Sequence, residues 1–225
     1  MIIKVCGMRE ADNIRAVEAL GVDWMGFIFW SGSSRYVAES PSYLPIKAKR
    51  VGVFVDASID DILQHVIEYR LDVIQLHGHE TPDYIQALRA VFHAPHYDNC
   101  NCPTCKTLAT MPLLIKALPI ATNEDLNSAN VYDGLVDYFL FDTKATISTA
   151  AYGGTGCQFD WTILDKYEGN TPFLLCGGIG PDDAKRLHDF HHPLLAGIDL
   201  NSRFEQSPAL KDITKLKAFL YEYNQ

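Results

Sequence analysis

Long apolar runs are missing from this sequence: no stretch of its 225 residues approaches the ~18 apolar positions that a membrane-spanning helix needs. Arg9 and Glu10 interrupt the N-terminus before a signal-peptide core has formed. Positive charge is also scarce, with 19 Lys and Arg against 28 Asp and Glu and a formal net charge of -9. Binding along a phosphate backbone needs clustered basic residues, so nucleic acid and membrane are not expected as partners. A disulfide framework is absent as well, because Cys100, Cys102 and Cys105 crowd together while Cys6, Cys157 and Cys176 stand apart. Free thiols and a cytoplasmic setting are the expectation. Low-complexity tracts and tandem repeats are lacking, and 48% apolar with 21% charged residues is ordinary globular usage.

What is present is alternation. Eight short β-rich runs recur: IIKVC, MGFIF, VGVFV, VIQLH, LLIKAL, YFLFD, FLLCGG and AGIDL. Between them lie stretches with helical spacing, namely ADNIRAVEALG, with Asp12 as predicted N-cap and Gly21 as its stop, SIDDILQHVIEYR, TPDYIQALRAVF, PDDAKRLHDF and KDITKLKAFLYEY. The run between Met25 and Trp30 is almost unbroken apolar, as in a parallel strand buried on both faces. Eight such units predict an α/β fold, a single (β/α)8 TIM barrel over residues 1-225. An open doubly wound sheet needs a boundary linker, and none is visible.

A barrel carries its chemistry where strands end and βα loops begin. Cys6-Gly7, Asp56, His77-Gly78, Asp142-Thr143-Lys144, Gly177-Gly178 and Asp199-Leu200-Asn201 therefore share one predicted rim. In LLCGGIGPDDA, Gly177, Gly178 and Gly180 lie between a strand and a helix starting at Pro181, where bare amides accept an oxyanion. Asn201, Ser202 and Arg203 follow the last strand, and YGGTG adds Gly153, Gly154 and Gly156 after the sixth. One such turn is commonplace; three at consecutive strand ends predict a phosphorylated small-molecule substrate.

Strand alternation puts Lys4 and Cys6 on one face, about 7 Å apart at ~3.3 Å per residue. A buried thiol is usually inert, but a neighbouring ammonium favours the thiolate and is expected to lower the thiol from its ordinary ~8.5. Asp142 ends the apolar run YFLFD, and partial desolvation makes its carboxyl a candidate proton donor, the bland alternative being a cap on the next turn. A thiol base and a carboxyl acid across one rim suit a proton-transfer isomerisation that needs no cofactor. Arg35, in the flexible stretch WSGSSRYV, is either a clamp for a substrate carboxylate or a solvated loop arginine. His77 in QLHGHE binds substrate or is simply hydrogen-bonded in place, and His191 and His192 fall at the stability end of the barrel.

The ordered set KVCGM, GFIFWSGSSRYV, VGVFVD, QLHGHE, LFDTK, GGTGCQFDW, CGGIGPDDA and GIDLNSRFE resembles the phosphoribosylanthranilate isomerases of tryptophan biosynthesis nearly end to end. The resemblance implies an Amadori rearrangement of N-(5-phosphoribosyl)anthranilate without cofactor. It implies Asp142 as the acid that opens the furanose ring to a Schiff base and Cys6 as the base that removes the C2 proton. Arg35 and Asp199 are then contacts to the anthranilate part, and the amides of Gly154, Gly178, Asn201 and Ser202 hold the phosphate. Ribulose-phosphate epimerases and indole-glycerol-phosphate synthases are the neighbouring alternatives; the first wants metal ligands at the rim, the second a catalytic lysine with a second acid, and neither pattern is evident. A monomer or a homodimer is compatible with this reading.

Three features depart from the family pattern. Gly32 and Ser34 stand beside Arg35 where Lys and Pro are common, Arg203 stands where a glycine is usual, and a Cys/His-rich insert occupies about residues 93-107. The insert holds His93, His96, Cys100, Cys102 and Cys105, enough ligands for a structural zinc site, but C-x-C-x2-C lacks the second well-spaced pair of a strong zinc motif. The site is therefore read without metal. A degenerate barrel that binds metal through this loop is the alternative from another class; it predicts that chelation matters and that replacing Cys6 or Asp142 does not.

Overall fold

The computed structural model describes residues 1–92, 111–143 and 160–225. Eight parallel strands close into one barrel in sequential order: β1 (Ile2–Cys6), β2 (Trp24–Ile28), β3 (Lys49–Phe54), β4 (Val73–Leu76), β5 (Leu113–Ile120), β6 (Tyr138–Thr143), β7 (Phe173–Leu175) and β8 (Leu195–Leu200). The seam is β1 on β8, with Lys4 opposite Asp199 and Val5 opposite Leu200. The predicted TIM barrel is thus the fold.

Each outer element forms for a local reason. Helix α1 (Ala11–Glu18) starts one residue before the predicted cap: Glu10 is the N-cap position, and Asp12 sits in the first turn bonded to Arg15 at 3.0 Å. A carboxylate there is favoured by the helix dipole without capping. Helix α2 (Ile59–Tyr69) is capped by Ser58, whose hydroxyl accepts from Asp61 N at 3.1 Å. Helix α3 (Pro82–Phe92) buries Ile85, Leu88 and Phe92 at helical spacing. A short α4 (Asn123–Leu126) follows β5, and α5 (Ala184–Asp189) follows β7 after one 3₁₀ turn at Pro181–Asp183. Helix α6 (Ile213–Tyr223) closes the chain from an Asp212 cap.

The alternation of strand and helix is less regular than expected. No helix joins β2 to β3, because WSGSSRYVAESPSYLP is rich in Gly, Ser and Pro and has no 3.6-residue apolar period. Glu18 fastens that connection instead, its Oε1 accepting from the amides of Ile46, Lys47 and Ala48 at 2.7, 2.6 and 3.2 Å. The described part of the β6–β7 connection is a 3₁₀ turn, Trp161–Lys166.

Two apolar layers result. The larger lies between strands and helices; the smaller fills the barrel with Trp24, Val51, Val53, Val73, Ile115, Ala117, Leu140 and Leu174. Each Val, Leu or Ile among them contributes roughly 1.5–3 kcal/mol when fully buried. Trp24 and Tyr138, the first residues of β2 and β6, meet edge to face at 5.5 Å and close the N-terminal end. The polar groups are left for the other end. Among the described residues no helix is long and apolar enough to cross a membrane.

Candidate active site

Cys6, the last residue of β1, is buried at 4% exposure and pairs in register with Gly26 of β2. A Cβ on Gly26 would stand 2.7 Å from Cys6 Sγ, so the missing side chain is the space the thiol occupies. Strand residues with room carved beside them were legible only as "glycine inside a strand".

Lys4 is fully buried and donates to Asp199 Oδ2 at 2.8 Å. Burial pushes its pKa down, yet the Asp199 carboxylate outweighs this and holds the ammonium form. Asp199 Oδ1 is buried without a hydrogen-bond partner among the described residues. For Cys6 the outcome differs from expectation: burial pushes the thiol up, and the charges of Lys4 and Lys211 only partly oppose it. The expected net lowering is overturned by burial first, with the Asp199 charge raising the thiol in the same direction. The second free thiol, Cys176, is raised further by burial and by Asp142 and Asp199.

Asp142, the penultimate residue of β6, is 9% exposed. Its Oδ1 accepts from Thr143 N at 2.8 Å and its Oδ2 faces His77 Nε2 at 3.5 Å, so it both caps its turn and addresses the barrel mouth. His77 is oriented from below by Gln75, whose Nε2 donates to Nδ1 at 2.9 Å. With that donor assigned, the ring proton of a neutral His77 lies on Nε2, toward Asp142. The loop carrying His77 is tied down by a buried pair that the sequence did not flag: Glu80 accepts from Asp56 N and Gly78 N, and Lys116 donates to Glu80 at 3.0 Å and to Gly78 O at 2.7 Å.

Arg35 is not a solvated loop arginine. Its Nε and Nη2 grip Glu205 at 2.9 and 2.7 Å, with side chains 12% and 5% exposed. Only the Nη1 end faces away from that fork. Glu205 begins a hairpin of β9 (Glu205–Ser207) and β10 (Leu210–Lys211) that follows β8 and packs behind the site.

Gly177 and Gly178 follow β7 with φ of 90° and 68°, a left-handed pair for which glycine is suited. Across from them, Asn201 and Ser202 follow β8, and Arg203 lies against Gly180, where a Cβ would stand 2.8 Å from its Nε. The two loops therefore approach each other. Gly153 and Gly154 lie outside the described residues, as do the insert's His93, His96, Cys100, Cys102 and Cys105. Among the described residues no cluster of three His, Cys, Asp or Glu side chains has metal-binding geometry. His192 sits at the opposite end, its Nδ1 accepting from Leu194 N at 3.1 Å just before β8.

Comparison with known proteins points to one family. The family model described as N-(5'phosphoribosyl)anthranilate (PRA) isomerase matches residues 3–111 and 104–222. The chain belongs to this family. An N-(5'-phosphoribosyl)anthranilate isomerase of Phocaeicola vulgatus is 47% identical over all of this chain and 98% of its own, and one of Parabacteroides distasonis 46% over 99% and 93%. The phosphoribosyl anthranilate isomerase structure from Thermus thermophilus superposes with a TM-score of 0.76 at 25% identity, covering 100% of this chain and 98% of that one. A further isomerase structure, in complex with reduced 1-(o-carboxyphenylamino)-1-deoxyribulose 5-phosphate, superposes at 0.71 with 25% identity, covering 100% and 99%. The chain is accordingly an isomerase of tryptophan biosynthesis acting on a phosphorylated substrate.

Proposed function

We propose that Asp142 and Cys6 are the general acid and general base of this isomerisation. Asp142 gives its proton to the furanose ring oxygen of N-(5'-phosphoribosyl)anthranilate as the ring C–O bond breaks, and the nitrogen lone pair closes the Schiff base. The Cys6 thiolate takes the proton from C2, and the released electron pair yields an enolamine that tautomerises to 1-(2-carboxyphenylamino)-1-deoxyribulose 5-phosphate. The oxidation of C2 and reduction of C1 balance within one molecule, so no cofactor enters.

The observation that carries the reading is the placement of both groups, each nearly buried, at the C-terminal mouth of one barrel. Arg35 and Asp199 address the anthranilate part, Arg35 by Nη1 and Asp199 by its unpartnered Oδ1. His77 steadies Asp142 beside the substrate. Gly177, Gly178, Asn201 and Ser202 receive the phosphate, with Gly153 and Gly154 expected to complete its cradle. Residues 1-225 form one catalytic unit, active as a monomer or homodimer, with no nucleic-acid partner. A fluorescence assay of phosphoribosylanthranilate consumption tests the pair: Cys6→Ser and Asp142→Asn should each lower kcat at least about a hundredfold. Near-native turnover in both overturns the assignment.

A further inference from the structure

The chemistry above gives no part to the buried cation of Lys211. Lys211, at the end of β10, has a side chain that is 0% exposed. A buried ammonium is costly unless it is paired and hydrogen-bonded. Lys211 meets both conditions, donating to Asn201 Oδ1 and to Glu205 Oε1 at 2.7 Å each. Its backbone is clamped from α1, where Asn13 accepts from Lys211 N at 2.8 Å and donates to Lys211 O at 2.9 Å. Glu205 is shared: the same carboxylate receives the Arg35 fork.

These side chains stand directly behind the turn that follows Cys6. A Cβ on Gly7, whose φ is 77°, would lie 2.7 Å from Arg35 Cδ, 3.0 Å from Asn201 Oδ1 and 3.4 Å from Lys211 Nζ. The charges facing the thiol can then be read element by element. From β1 and β8 come Lys4 and Asp199, which neutralise one another. From the loop after β2 and the β9–β10 hairpin come two cations, Arg35 and Lys211, against the single carboxylate of Glu205. Asp142 of β6 faces the same mouth; within the hairpin side, one positive charge is left over.

We propose that Lys211 is a positioning residue of the isomerase reaction: it fixes Arg35 through the shared Glu205, fixes Asn201 directly, and supplies the surplus positive charge that favours the thiolate of Cys6. This rests on the assignment of Cys6 as base and Arg35 as carboxylate contact. Lys211 itself touches neither reacting atom. Consistent with the geometry, its charge opposes the burial that raises the Cys6 thiol, while Glu205 is held below the ordinary carboxylate range, burial being outweighed by Arg35 and Lys211.

Two substitutions of opposite sign test it. The rate of Cys6 alkylation by iodoacetamide is followed against pH, by mass spectrometry of the Cys6 peptide, alongside kcat and KM. Lys211→Met should move the alkylation midpoint up by about one pH unit, and Glu205→Gln should move it down by a similar amount. Both should raise KM about tenfold, because Glu205→Gln removes the Arg35 anchor and Lys211→Met removes the bonds that fix Glu205 and Asn201. A residue with a merely structural role would move neither midpoint. Unchanged midpoints in both folded variants overturn the proposal; should Lys211→Met fail to fold, a Glu205→Gln midpoint that does not fall does the same. Alkylation needs no turnover, so the result stands apart from the base assignment, which falls only if Cys6→Ser keeps near-native kcat.

Discussion

At the scale of single residues, the thiol of Cys6 is governed by what is absent beside it. Gly26 leaves the volume that Sγ fills, so Gly26→Ala should displace the sulfur and lower kcat ten- to a hundredfold while leaving far-UV dichroism unchanged; retention of full kcat would show that the sulfur's position is not critical. Because burial raises the Cys6 thiol, the thiolate gains population only as pH climbs past the ordinary thiol range. The rate of Cys6 alkylation in the native chain should therefore keep rising above pH ~8.5, and a plateau reached well below that would contradict a thiol raised by burial. Cys6 and Asp142 could be found in the sequence because each ends an apolar strand run. The Gly26 pocket could not, since its partner lies on another strand.

At the scale of elements, the loops that carry the chemistry are held by buried ion pairs on the outer side of the barrel. Lys116 of β5 and Glu80 after β4, 3% and 1% exposed, pin the His77–Gly78 turn. Removing one partner strands the other charge, so Lys116→Met should cost about 3–5 kcal/mol in urea unfolding; a loss under ~1 kcal/mol would mean that water reaches Glu80. The strand runs were legible because a parallel barrel demands continuous apolar segments. The helices were less so. Asp12 carries a helix-start signal, yet α1 begins before it, and the β2–β3 link, filled with Gly, Ser and Pro, carries no helix. Glu205 and Lys211 gave no signal either: Arg35 and Glu205 are 170 positions apart, and no local pattern announces such a pair.

At the scale of the whole molecule, several carboxylates are held below their ordinary range. Asp133 owes this to the Thr171 hydroxyl and Asn170, and Glu205 to Arg35 and Lys211 once burial is overcome. Groups depressed in the folded state stabilise it above their unfolded pKa and lose that contribution as pH falls through the folded one. The Tm should thus be level near neutrality and decline below pH ~4, and Asp133→Asn should lower Tm at neutral pH and flatten the acid decline; an unaltered slope would remove Asp133 from the account. The barrel seam has a consequence for how the protein is made. Since β1 pairs with β8, the barrel's first strand waits for its second neighbour until position 200 has been translated. Until then a nascent chain presents β1, with Cys6 at its tip, as an open edge available to other extended segments. The half-made protein needs shielding at the very strand on which the finished enzyme depends.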